Sequence, residues 1–91
     1  MNKKIIVISA VWCPSCLILK RHLKRLSNEY SDIEIEMLDY DFDEDKVSEY
    51  DVKDKLPVII CNNNRLIGEK TYEEIISFLK ENKILWKKYY I

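Results

Sequence analysis

The sequence lacks the features of several large classes of protein. Its 91 residues include three cysteines, Cys13, Cys16 and Cys61, which are too few and too unevenly spaced for the disulfide framework of a small secreted protein. No apolar stretch is long enough to span a membrane. The net charge is only -1, and no basic segment is interleaved with aromatic residues, so we expect no nucleic-acid partner. The length allows one small domain over residues 1–91, with its chemistry on the surface.

The N-terminus has a charged start followed by an apolar stretch, as a short secretory signal would. It lacks a small-residue cleavage site, and Trp12 occupies the place where a lipoprotein signal needs a small residue before its cysteine. Cleavage there would also remove the segment that places Cys13. We therefore interpret residues 3–10 as the first strand and expect a cytoplasmic protein.

The chemistry is centred on the segment Val11–Cys16, where a continuous apolar run meets a helical pattern. Pro14 suits the first helical position because its φ is fixed near the helical value and its missing N–H is not needed there. Cys13 then lies at the helix N-terminus, where unpaired N–H groups and the helix dipole favour a thiolate. Cys16 follows one turn later, within reach of a disulfide and more buried. We predict that Cys13 is the nucleophile and Cys16 the resolving thiol.

The hydrophobic pattern predicts seven elements in the order β-α-β-α-β-β-α. The first strand is β-branched and apolar without alternation, which is typical of a central strand covered on both faces. Asn62–Asn64 predicts a turn between two strands, and Thr71 with Glu74 has the spacing of a capping box. The predicted strands and helices are 3–10, 16–30, 33–40, 45–50, 55–61, 65–68 and 72–82.

Two features allow more than one interpretation. Cys61 lies in an apolar strand, where it is either a buried core residue or a further redox partner of the cysteine pair. The segment 84–91 is unusually apolar for a chain end. It either prolongs the last helix onto the core or offers a surface to a partner.

This element order resembles the thioredoxin superfamily, with Trp12, Cys13, Pro14 and Cys16 after the first strand and Leu56-Pro57 before the third. The likeness runs from residue 3 to residue 82. Its size resembles glutaredoxins and the small glutaredoxin-sized thioredoxins of archaea and bacteria. The resemblance implies a three-layer α/β fold with a mixed four-stranded sheet and a monomeric thiol–disulfide oxidoreductase acting on protein disulfides without a cofactor.

The same resemblance implies the roles of the residues around the cysteines. In the family, a cis-proline faces the disulfide and the backbone of the preceding residue pairs with substrate, which assigns those roles to Pro57 and Leu56. Trp12, directly before the nucleophile, is expected to shield the site and, with Pro14, to contact the substrate. The buried aspartate that larger thioredoxins place on the preceding strand has no counterpart here, so the proton route of Cys16 is unassigned.

The resemblances to glutaredoxins and to small thioredoxins imply different electron donors. Glutaredoxins usually have tyrosine where Ser15 stands and paired glycines where this chain has only Gly68. The acidic residues between Asp39 and Asp54 would repel glutathione, which carries net negative charge. We therefore expect a thioredoxin reductase-like donor. The alternative is a glutathione-dependent glutaredoxin.

A metal-binding or interaction module is the alternative from a different class. Tetrahedral zinc needs four ligands, and the chain offers no second cysteine pair beside Cys13 and Cys16. Heavy-metal chaperones place such a pair after a first strand, but their β-α-β-β-α-β order has no place for Leu56-Pro57. Residues 39–50 resemble a calcium loop without its glycine and its final glutamate. We predict no metal site and interpret the acidic segment as a solvated turn.

Overall fold

The computed structural model describes residues 3–52 and 55–85. It confirms the predicted order β-α-β-α-β-β-α, with most boundaries shifted by one or two residues. The elements are β1 (Lys4–Ser9), α1 (Pro14–Glu29), β2 (Glu34–Asp39), α2 (Glu44–Ser48), β3 (Val58–Cys61), β4 (Asn64–Ile67) and α3 (Tyr72–Glu81).

The four strands form one mixed sheet in the order β2-β1-β3-β4. β1 runs parallel to β2 and antiparallel to β3, and β4 forms a hairpin with β3. Because Ile8 near the end of β1 is paired with Val58 at the start of β3, the loop after β1 and the loop before β3 meet at one end of the sheet. The central position predicted for β1 is confirmed.

Helices cover both faces of the sheet, which confirms the predicted three layers. The leucine stripe of α1 and the apolar face of α3 pack on one face against Ile5 and Val7 of β1. On the other face, Ile8 packs with Val47 of α2. β1 therefore contributes fully buried side chains to both sides, as its unbroken apolar run predicts.

α3 is capped at both ends by local contacts. Its N-cap Thr71 forms the predicted capping box with Glu74. At the other end, Lys83 adopts a left-handed φ of 60°, and the Ile84 N–H donates to the Leu79 carbonyl over 2.9 Å. This is the Schellman arrangement, which ends a helix and turns the chain back.

The apolar tail is thereby partly explained. α3 does not continue into it, but Ile84 and Leu85 fold back into the core and are 2% and 4% exposed. Residues 86–91 lie outside the described part of the chain, so their alternatives stay open.

The β3–β4 turn is narrower than the sequence predicts. Asn62 and Asn63 adopt left-handed φ values of 50° and 68°, as asparagine tolerates in a two-residue hairpin, and Asn64 already belongs to β4. The Asn62 and Asn64 amides both donate to Asn82 at the end of α3. The hairpin and α3 are thus joined at the end of the sheet opposite the loop after β1.

β3 begins later than the sequence predicts, at Val58 instead of residue 55. Pro57 has no N–H to donate to a neighbouring strand, so the ladder starts only after it.

Within residues 3–52 and 55–85, no helix has the length and apolar character needed to cross a bilayer.

Candidate active site

The cysteine motif caps the first helix. After β1, the Cys13 N–H donates to the Ala10 carbonyl over 3.2 Å, and this turn delivers Cys13 to the N-cap of α1. The Cys13 Sγ accepts the backbone N–H of Cys16 at 3.3 Å. Pro14 occupies the first turn of the helix, as predicted. The sulfur thus accepts an N–H group that has no partner within the helix, and it lies at the positive end of the helix dipole.

The two cysteines differ in accessibility. Cys13 is 6% exposed and Cys16 is fully buried, and both are free thiols, so the structure describes the dithiol form. Burial, together with the hydrogen bond to Cys13, raises the pKa of Cys16 to about 11. Cys16 is therefore a protonated thiol at neutral pH, and a reagent from solvent meets Cys13 first.

The loop before β3 lies against the cysteines. The Leu56-Pro57 peptide bond is cis, which confirms the expectation from the family resemblance. The Cys13 Sγ lies 3.8 Å from the Leu56 carbonyl oxygen, to which its S–H donates. Leu56 also packs on the small apolar cluster of Ala10, Cys13 and Cys16. The structure thus brings the predicted cysteine pair and the predicted proline loop together.

Trp12 lies on the rim of this site. It is 55% exposed, and its indole N–H donates to a carboxylate oxygen of Asp41 over 2.7 Å. The Tyr40 ring meets it edge-on, with 6.4 Å between centroids. The indole is therefore held in place while about half of the residue's surface remains exposed.

The acidic turn after β2 has a structural function that the sequence does not reveal. The Asp39 carboxylate accepts the N–H groups of Asp41 and Phe42, and the Asp43 carboxylate accepts the N–H of Asp39. These bonds fix the turn and aim Asp41 at Trp12. They also leave Phe42 80% exposed beside the site. The segment is solvated, as predicted, but one of its carboxylates positions a site residue.

A second carboxylate reaches the motif from the loop between β4 and α3. The Ser15 hydroxyl donates to Glu69 Oε1 over 3.0 Å. The preceding Gly68 has a φ of 92° and donates its N–H to the Pro57 carbonyl over 2.8 Å. No motif in the sequence identifies Glu69, because a single acid after a glycine has no distinguishing pattern.

The remaining candidate thiol lies elsewhere. Cys61 is at the end of β3 away from Pro57, packed in the main core, and burial raises its pKa to about 11. These surroundings favour the interpretation of Cys61 as a core residue. In the part of the chain that the structure describes, no group of three or more histidine, cysteine, aspartate or glutamate residues is placed to hold a metal ion.

Solved structures of thioredoxins share this architecture. Thioredoxin-2 of the malaria parasite, a component of its protein secretion machinery, is 24% identical, with a TM-score of 0.76 over 86% of this chain and 81% of that chain. Mitochondrial thioredoxin 3 of Saccharomyces cerevisiae is 24% identical, with a TM-score of 0.73 over 89% and 80% of the two chains. Fasciola hepatica thioredoxin is 20% identical, with a TM-score of 0.70 over 89% and 83%. At these identities the likeness shows the fold.

The family follows from the sequence match. No curated protein sequence is significantly similar to this chain. The family described as Thioredoxin, however, matches residues 1–81, which include every element from β1 to the end of α3. This match supports a function of the thiol–disulfide oxidoreductase type. The chain belongs to the thioredoxin family.

Proposed function

We propose that the protein reduces disulfide bonds in protein substrates through Cys13 and Cys16. One observation carries the proposal: the Cys13 sulfur caps α1, accepts the Cys16 N–H at 3.3 Å and lies 3.8 Å from the Leu56 carbonyl. A nucleophilic thiol, a resolving thiol and a backbone acceptor for a peptide are thus assembled at one point. We further propose that the protein acts as a monomer in the cytoplasm, where thiols are kept reduced.

The first step is attack by the Cys13 thiolate on one sulfur of the substrate disulfide. A bond forms between Cys13 and that sulfur, and the substrate sulfur–sulfur bond breaks. The second substrate sulfur leaves as a thiolate and takes a proton from water. When Cys13 has lost its proton it no longer donates to the Leu56 carbonyl, which is then free to accept an N–H of the substrate backbone.

The second step is attack by Cys16 on the Cys13 sulfur. Cys16 loses its proton and forms the Cys13–Cys16 disulfide, and the bond between Cys13 and the first substrate sulfur breaks, so that this sulfur leaves as a thiolate and takes up a proton. Two electrons and two protons have then passed from the cysteine pair to the substrate. Because burial raises the pKa of Cys16 to about 11, this thiol is protonated at neutral pH in the dithiol form.

The rim residues are proposed to hold the substrate. Trp12 offers an exposed indole face beside Cys13, and Pro14 is exposed at the start of α1. Leu56 and the buried Pro57 form the opposite wall. A substrate segment lying between these walls would place its cysteine over the Cys13 sulfur.

We also propose that a flavin-dependent thioredoxin reductase, or an equivalent dithiol donor, regenerates the dithiol. Carboxylates lie on both sides of the cysteine motif, because Asp41 is held by Trp12 and Glu69 by Ser15. Glutathione, with net negative charge, would be repelled by both. The glutaredoxin alternative requires an anion-binding groove at this position.

The test couples insulin reduction to each donor in turn. Oxidised protein is incubated with insulin and NADPH, together with either thioredoxin reductase or glutathione plus glutathione reductase, and NADPH oxidation is followed. We expect faster turnover with thioredoxin reductase, and faster turnover with glutathione would overturn the choice of donor. Failure to accelerate insulin reduction above the uncatalysed background, with dithiothreitol as the donor, would overturn the proposed function itself.

A further inference from the structure

The Ser15–Glu69 contact brings a charge to the cysteine motif from a distant part of the chain. Ser15 stands between the two cysteines, and its hydroxyl donates to Glu69 Oε1 over 3.0 Å. The first turn of α1 contains no acidic residue of its own. Glu69 therefore supplies a negative charge at a helix end whose own sequence provides none.

The backbone directly before Glu69 is anchored to the proline loop. Gly68 takes a left-handed φ of 92°, which disfavours any residue with a Cβ although the space around it is open. The Gly68 N–H donates to the Pro57 carbonyl over 2.8 Å. The backbone of Glu69 thus follows a residue bonded to the proline loop, and its side chain contacts the cysteine motif. Glu69 therefore links the two walls between which a substrate would lie.

We propose, on the basis of the proposed function, that Glu69 is a specificity-determining residue that favours disulfides flanked by lysine or arginine over disulfides flanked by acids. A substrate cysteine placed over Cys13 brings its neighbours close to the Glu69 carboxylate. Glu69 is exposed, and one pair of solvent-exposed charges changes a rate by about three- to fivefold. The effect decreases as salt screens the charges.

Several neighbouring charges modify this preference. Asp41, fixed by the Trp12 indole N–H at 2.7 Å, adds negative charge on another part of the rim. Lys55, exposed and directly before Leu56, opposes it. The contribution of Glu69 is therefore measured as the change caused by its substitution.

The test uses two small disulfides of opposite charge, cystamine and 3,3′-dithiodipropionate. The reduced protein is mixed with each, and oxidation of the cysteine pair is followed by quenching, alkylation and mass spectrometry. Glu69→Gln keeps an oxygen acceptor for Ser15 but removes the charge. We expect the rate to fall about threefold with cystamine and to rise about threefold with dithiodipropionate. The ratio of the two rates then falls about tenfold, and by less at high salt.

The matched control is Glu81→Gln at the other end of α3. It makes the same change in net charge at the far end of α3, a helix about 15 Å long. This length exceeds the Debye length of about 10 Å at 0.1 M salt. We expect the wild-type ratio in this variant. Ser15→Ala, which keeps the carboxylate but removes its anchor, should give an intermediate ratio.

The outcomes separate the two proposals. If Glu69→Gln leaves the ratio unchanged, or slows both disulfides equally, Glu69 does not determine specificity, and the proposed function still stands. If wild-type protein reacts with neither disulfide and does not reduce insulin, the proposed function fails.

Discussion

The two ends of the sheet are held by polar contacts of different kinds. At the end that carries Cys13, Trp12 donates to Asp41 and Ser15 donates to Glu69, each through one exposed hydrogen bond to a carboxylate. These bonds orient side chains that remain open to solvent. A partner can therefore approach without first breaking the core.

At the opposite end the contacts are amide hydrogen bonds centred on one buried side chain. Asn82 is 9% exposed, accepts from the side chains of Asn62 and Asn64, and donates to the Phe78 carbonyl over 2.8 Å. This network closes the core over the end of α3. Buried amides that lose a partner cost much more stability than exposed ones.

We infer from this contrast that reactivity and stability depend on opposite ends of one small domain. Changes at the cysteine end should alter chemistry and leave the free energy of unfolding nearly unchanged. Changes at the asparagine end should do the reverse. Four predictions test this division, in order of decreasing effect.

The first is Cys13→Ser at the cysteine end. A hydroxyl at this position is far less nucleophilic than a thiolate, so we expect insulin reduction to fall to the uncatalysed background. Thermal unfolding should be close to that of the wild type. The matched control is Cys61→Val, which removes a thiol at the far end of β3 and should retain full activity. Residual catalysis by Cys13→Ser would contradict the assigned role of this residue.

The second is Asn82→Ala at the asparagine end. It removes the acceptor of the Asn64 amide and the donor to the Phe78 carbonyl, so we expect a loss of about 2 kcal/mol in the free energy of unfolding. The melting temperature should fall by about 10 °C. Activity per folded molecule should stay at the wild-type level. Asn28→Ala on the exposed side of α1 is the control, and an equal loss there would contradict the importance of the buried network.

The third concerns the pH dependence of stability at Cys61. Burial raises its pKa from 9.0 to about 11 in the folded protein. Above pH 9 the unfolded chain therefore loses this proton while the folded protein keeps it, which lowers the free energy of unfolding as pH rises from 9 to 11. We expect Cys61 to contribute about 2 kcal/mol to this loss.

Urea unfolding of wild type and Cys61→Val under reducing conditions at pH 8 and pH 11 measures that contribution. The valine variant should lose less stability than the wild type over this interval. An equal loss in both proteins would show that Cys61 does not titrate differently on folding.

The fourth and smallest is Lys83→Gly at the end of α3. Lys83 holds a φ of 60°, a conformation that costs a residue with a Cβ more than it costs glycine. We expect a gain of about 0.5 to 1 kcal/mol in the free energy of unfolding. Lys83→Ala keeps the Cβ and should show no such gain. Equal stabilisation by both would assign the effect to the lysine side chain instead of the backbone.

The parts of the fold that the sequence predicts are those fixed by local constraints. The apolar run of β1 requires cover on both faces, and Pro14 marks the start of α1 through its fixed φ. Thr71 and Glu74 satisfy each other's backbone groups within one turn. Such requirements act between residues close in sequence, so they can be read without coordinates.

The parts that the sequence does not predict depend on distant pairs. Trp12 and Asp41 are 29 residues apart, and Ser15 and Glu69 are 54 apart. An acid that will orient a site residue looks the same in sequence as one that faces only water. The fold is needed to show which of the 16 acidic residues reach the motif.

Trapping of mixed disulfides by two variants, each lacking one cysteine of the motif, tests most directly whether Cys13 attacks and Cys16 resolves. Reduced Cys16→Ser and Cys13→Ser are each incubated with insulin and analysed by intact-mass spectrometry. If Cys13 attacks and Cys16 resolves, Cys16→Ser accumulates an adduct through Cys13, and Cys13→Ser accumulates none. Equal trapping by both variants, or trapping by Cys13→Ser alone, would contradict the assignment of Cys13, the less deeply buried thiol, as the nucleophile.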